Sequence, residues 1–153
     1  MANSLVFPQF KLRQMGNNGT VVDLDADTIK VILVNATFAA LSDAAKRALE
    51  FYGEVDSPDG EVGASGTYSA GGSTLASKTS AQSAGTYTFD AADPTAWTGA
   101  TIAAAGAVIY KDTGSSATDP VLGYVDFGAD ATSTAGTFSI TWDTYGIFQT
   151  TIS

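Results

Sequence analysis

Residues 107–128 read AVIYKDTGSSATDPVLGYVDFG, and the reading of this stretch decides the fold. Two apolar runs, 107–110 and 121–127, flank a loop dense in Asp, Thr, Gly, Ser and Pro, the sequence form of a long-looped β-hairpin. The stretch carries no reactive group, so it specifies a scaffold.

Working outward, residues 101–111 set Ile102, Ala104, Val108 and Tyr110 against Ala103, Ala105, Ala107 and Ile109. Small or apolar side chains on both faces predict a central strand closely overlaid by other layers. Residues 28–34, TIKVILV, read the same way, with Lys30 as the exception. Residues 86–91 alternate, placing Tyr87, Phe89 and Ala91 on one face, and residues 137–143 alternate with Phe138, Ile140 and Trp142. Residues 144–146 then turn the chain into a last strand bearing Phe148, Thr150 and Ile152, which predicts a terminal hairpin.

One helix is expected, over residues 42–52, capped by Ser42 and ended by Gly53. Its packing stripe is Leu41, Ala45, Ala48, Leu49 and Tyr52, with Lys46, Arg47 and Glu50 toward water. Residues 1–15 form an N-terminal arm or edge strand, because Pro8 cannot donate to a central ladder, and Gly16-Asn-Asn-Gly19 makes a turn after it. Residues 53–72 are rich in Gly, Ser, Asp and Glu with Tyr68 as the one large anchor, a loop placed to become ordered against a neighbour. The fold class is therefore mainly β: an antiparallel β-sandwich of jelly-roll type with about eight strands and one short α-helix. Residues 16–153 are a single β-sandwich domain; a chain of this length buries roughly 70% of its unfolded surface.

The composition narrows the chemistry. There is no Cys and no His, which removes disulfides, thiolate metal sites, imidazole bases and His-containing triads. Seven Lys+Arg stand against 16 Asp+Glu, a net charge of −9, so neither nucleic acid nor an anionic membrane is an expected partner. Six of the seven cations precede residue 79, so one end of the chain is suited to an acidic surface that the other would repel. The first residues place cations after apolar residues, the reverse of a secretory signal, and no apolar run approaches the ~20 residues that span a bilayer.

Asp23, Asp25 and Asp27 imitate the opening of a calcium loop, but Thr28 stands where such a loop needs Gly and Val34 where it needs a bidentate Glu. A solvated acidic turn is the better reading, and no metal or cofactor is expected. Asp126 and Asp143 are the carboxylates to test as an acid/base pair, though carboxylates on polar strand faces are common, and no enzyme activity is expected. Trp97, Tyr110, Tyr124 and Tyr145 form a carbohydrate platform if exposed, and belong to the core otherwise.

Four segments taken together carry a resemblance: DLDADTIKVILVNATF (23–38), GTYSAGGSTLASKT (66–79), AVIYKDTGSSATDPVLGYVDFGAD (107–130) and FSITWDTYGIF (138–148). In order and in type they resemble a group of small virion proteins of tailed bacteriophages. The chain departs from that group at residues 38–52, an Ala-rich helix where relatives carry a looser polar stretch. The resemblance implies a capsid decoration (cement) protein on the outer capsid surface of the virion, made in the host cytoplasm. Its implied partners are the major capsid protein and sister copies in a homotrimer. An alternative implication is a tail, baseplate or fibre-associated component that binds glycans. Contacts are expected through Phe7, Phe10, Lys11 and Arg13 in residues 5–13 and through Tyr68 in residues 53–72. Deletion of residues 1–13 is expected to weaken docking while sparing the β fold.

Overall fold

The computed structural model describes residues 3–15, 21–55 and 60–151. The opening stretch is the centre of a long antiparallel hairpin: β6 (Trp97–Lys111) runs into β7 (Val121–Phe138), and both strands exceed the lengths expected from sequence. Asp119 closes the loop between them, its Oδ1 accepting from the Thr113 amide at 2.6 Å and the Thr113 hydroxyl at 2.7 Å.

Around this hairpin lies a five-stranded antiparallel sheet in the order β1-β7-β6-β2-β3, with β1 Asn3–Val6, β2 Ile29–Val34 and β3 Ser73–Thr74. A second sheet, β4-β5-β8, comprises Thr79–Ser83, Thr86–Asp90 and Phe148–Thr151. The molecule is a mainly β sandwich with a helical layer added. Ile29, Val31 and Leu33 of β2 enter the core shared with Phe89, Phe148, Trp97 and Leu122. Ile32 and Val34 of the same strand enter a second cluster with Phe38, Tyr52 and Tyr124. Covering on both faces is why residues 104–110 are buried without alternation. The small residues permit that closeness: a Cβ at Gly106 would meet the Tyr124 ring at 2.5 Å.

Among the described residues three α-helices form in place of one. Pro8 opens α1 (Pro8–Met15), suited to a first helical position where no N–H donor is needed, so the N-terminal segment is an edge strand followed by a helix. α2 (Ala36–Ala39) is capped by Asn35, and α3 (Asp43–Ala48) by Ser42 as the sequence predicts, its hydroxyl accepting from the Ala45 amide at 3.2 Å. α3 stops four residues before the expected end because the chain is drawn to the start of β7. The Glu50 carbonyl accepts from the Val121 amide, and the Tyr52 amide donates to the Asp119 carbonyl. The expected polar face is also corrected. Lys46 is buried, donating to the Ala39 carbonyl at 2.6 Å with its ammonium 5.1 Å from the Tyr124 ring centre, while Ala45 and Ala48 are exposed.

The terminal hairpin is corrected as well. Phe138, Ile140 and Trp142 alternate inward as expected, but residues 139–143 lie outside any strand, and β8 pairs with β5. Asp93 and Ala92 take the place of a ladder, accepting from the Trp142 amide and indole at 2.8 and 3.2 Å. Between Ala104↔Ala131 and Gly106↔Asp126 the single residue Ala105 faces four of β7, residues 127–130, so FGAD is a bulge that divides the strand. The turn at 16–19 and the last apolar residue, Ile152, lie outside the described residues.

Candidate functional site

The residues expected to make contacts separate into core and surface. Phe7, between β1 and α1, is fully buried in the helix-side cluster, and Phe10 in the first turn of α1 is buried in the sandwich core. Tyr68 is 1% exposed. All three side chains are spent on the chain's own packing, a correction to their assignment as an interface. Lys11 is exposed on α1; Arg13 lies on the same helix, with its side chain outside the described residues.

Tyr68 belongs to a polar hub that the sequence did not reveal. The Glu61 carboxylate accepts from the Tyr52 phenol at 2.6 Å, the Tyr68 phenol at 2.7 Å and the Gly71 amide at 2.9 Å. The Tyr68 oxygen in turn accepts from the Leu33 amide at 3.0 Å. Burial, then the Glu61 charge, pushes the Tyr68 phenol far above its ordinary pKa. The glycine-rich loop is thereby pinned to β2 across residues 60–72; residues 56–59 lie outside the described residues. Gly72 is part of this closure, since a Cβ there would land on the Val31 carbonyl oxygen. Glu61 in a run of Gly, Ser and Asp reads as solvated; Tyr52 and Tyr68, whose hydroxyls seek acceptors, were the available signal.

The candidate carboxylates hold turns. Asp126 accepts from the Gly128 amide at 2.8 Å, and Asp143 from the Tyr145 amide at 3.0 Å. The Asp-rich turn is satisfied internally. Asp23 accepts from the amides of Asp25 and Ala26, and Asp27 from the Asp23 amide and from Lys111, whose ammonium is 2.7 Å away. Among the described residues no three acidic side chains converge to hold a metal ion. Of the four candidate platform aromatics, Trp97, Tyr110 and Tyr124 are core residues; Tyr145 is 67% exposed. Burial, with the Asp126 charge adding to it, pushes the Tyr124 phenol up to about 12.

Two surface features remain. Lys30 and Lys111 are taken up by Asp112 and Asp27 at 3.0 and 2.7 Å. By contrast Lys11 on α1 and Arg47 on α3 are exposed, with no ion pair to a described residue. The two helices touch each other; Leu12 on α1 is 48% exposed and Leu41, just before α3, is 38% exposed. The second feature is a cleft of about 200 Å³ formed by the bulged part of β7, residues 140–147 and Gln149 of β8. The chain matches no family model, and no curated protein or solved structure is found to match it.

Proposed function

We propose that this chain is a virion structural protein of a tailed bacteriophage, a capsid decoration protein that binds the major capsid protein on the outer shell and self-associates, as a homotrimer, across capsomer junctions. The observation that carries the reading is the placement of charge. In a chain of net charge −9, Lys11 and Leu12 are exposed on α1, Arg47 is exposed on α3 and Leu41 just before it, and the two helices are in contact, with Asp43 the exposed acid at the start of α3. Exposed cations and apolar side chains on neighbouring helices are suited to an acidic protein surface, where charge sets orientation and encounter rate and apolar burial supplies affinity. The acidic remainder keeps decorated particles apart in solution.

The resembling segments support the same reading from another side. DTIKV leads into β2, the Gly-Gly phrase leads into β3, and the AVIYKDTG and DFG phrases lie in β6, its loop and β7, so together they supply four of the five strands of the large sheet, all but β1. What is shared is a rigid scaffold. Cement action on such a scaffold is mechanical: area buried across a junction must be exposed again before capsomers separate.

Cosedimentation with expanded shells tests the docking face. Wild-type protein is expected to pellet with shells, less so as salt is raised. Lys11→Glu combined with Arg47→Glu should lower affinity about tenfold or more while leaving the circular dichroism spectrum unchanged. Absence of wild-type binding, or binding indifferent to the double reversal, would sink the proposal.

A further inference from the structure

The floor of the cleft is apolar, made by Phe127, Ile140, Trp142 and Ile147, and Tyr145 stands at its mouth. Tyr145 is held there by its own backbone. Its amide donates to Asp143 Oδ1 at 3.0 Å, its carbonyl accepts from Gln149 Nε2 at 2.9 Å, and the Gly146 amide ties to the Asp143 carbonyl at 2.9 Å. An aromatic side chain presented to solvent from a closed turn loses little freedom when a ligand stacks on it.

Three polar groups line the same cleft with capacity to spare. Asp143 Oδ2, Gln149 Oε1 and the Thr141 hydroxyl have no hydrogen-bond partner among the described residues. A wholly apolar occupant would cover these groups and leave them unsatisfied. The fitting ligand offers an apolar face to the ring and several hydroxyl donors to the carboxylate and amide. Asp143 and the net charge of −9 oppose an anion. The volume is smaller than the roughly 300–1,000 Å³ of pockets for drug-sized ligands, so one ring is accommodated rather than an extended chain.

We propose that this cleft is a carbohydrate site for a single neutral hexopyranose residue, with Tyr145 as its stacking platform and Asp143, Gln149 and Thr141 as partners of its hydroxyls. The site lies on the sandwich-core side of the large sheet, away from the α2–α3 face. It is independent of shell docking, since free protein either binds sugar or does not.

The test is an amide-resolved NMR titration of the full chain with methyl glycosides of glucose, galactose, mannose and N-acetylglucosamine. Sialyllactose and cyclohexanol serve as anionic and hydroxyl-poor counterparts. Saturable shifts at Asp143, Tyr145, Gln149 and the Trp142 indole are expected for at least one neutral glycoside and for neither counterpart. Tyr145→Ala, at an exposed position, should weaken binding about tenfold with the rest of the spectrum unchanged. Asp143→Asn, which keeps the oxygen that holds the turn, should weaken it without displacing Tyr145. The site is overturned if no neutral glycoside shifts these residues, if cyclohexanol or sialyllactose shifts them as strongly, or if Tyr145→Ala binds like wild type.

Discussion

Glu61 holds three donors with one carboxylate, and two of them come from phenols on different elements. Replacing it by alanine removes the acceptor that fixes the 60–72 loop against β2. Each buried donor left unsatisfied costs about 1–3 kcal/mol. Glu61→Ala should therefore lower the urea midpoint by at least one such step, and Glu61→Gln, which keeps one acceptor oxygen, by less. Burial raises the Asp27 pKa, but hydrogen bonds from Lys111 and the Asp23 amide outweigh it; Asp112 is lowered by the hydrogen bond from Lys30. Both folded values lie below the ordinary 3.8, so the stability they contribute is present above the unfolded pKa and is lost as pH falls through the folded values. Urea melts from neutral pH down to about pH 2 should show this loss, flattened in Lys111→Met and Lys30→Met variants. The sequence marks the Asp-rich turn because its spacing is local. It hides Glu61 and the burial of Lys46, because their hydrogen-bond partners lie seven to ten residues away through irregular chain, outside any helix or strand periodicity, and the ring over Lys46 belongs to β7.

At the scale of elements, legibility followed periodicity. The β6–β7 hairpin, β2, β5 and the Ser42 cap could all be read, each within a window of a few residues. Tyr87 departs from its expected face only in overhanging the sheet, half-exposed, with its hydroxyl on Ser80. Residues 139–143 alternate without a strand partner because alternation reports which side chains are buried, and pairing depends on what lies alongside. The N-terminal segment shows the opposite failure. Pro8 argued for an arm or edge, yet it starts a helix, and Phe7 just before it and Phe10 within it fill two cores. Removing residues 1–13 would therefore unmake packing, a correction to the expectation that the β fold survives it. Phe7 is fully buried, and Phe7→Ala should cost about 3–5 kcal/mol by urea denaturation. Lys11→Glu should cost almost nothing in the same assay. A near-neutral Phe7→Ala would mean that the segment is not part of the folded core.

The whole molecule combines a sandwich, a helical cover and an uneven distribution of charge. Strand order was beyond the sequence, since β1 joins β7 across more than a hundred intervening residues and β3 joins β2 rather than β4. The helical layer was legible only at α3, through its Ser42 cap; α1 and the four-residue α2 were not read from the sequence. Charge was legible in part. The excess of cations before residue 79 could be counted, but which cations are neutralised depends on folding: Lys30, and Lys111 from the second half, meet aspartates, while Lys11 and Arg47 remain exposed on α1 and α3. The proposed docking on a shell rests on those exposed residues, and the proposed sugar site at Tyr145 is separable from it. The most direct measurement is an electron-microscopy map of the phage particle at a resolution that places this fold. The account predicts repeated copies on the outer shell at capsomer junctions, with α1 and α3 against the major capsid protein. Density for the fold confined to the neck, tail or baseplate would contradict it.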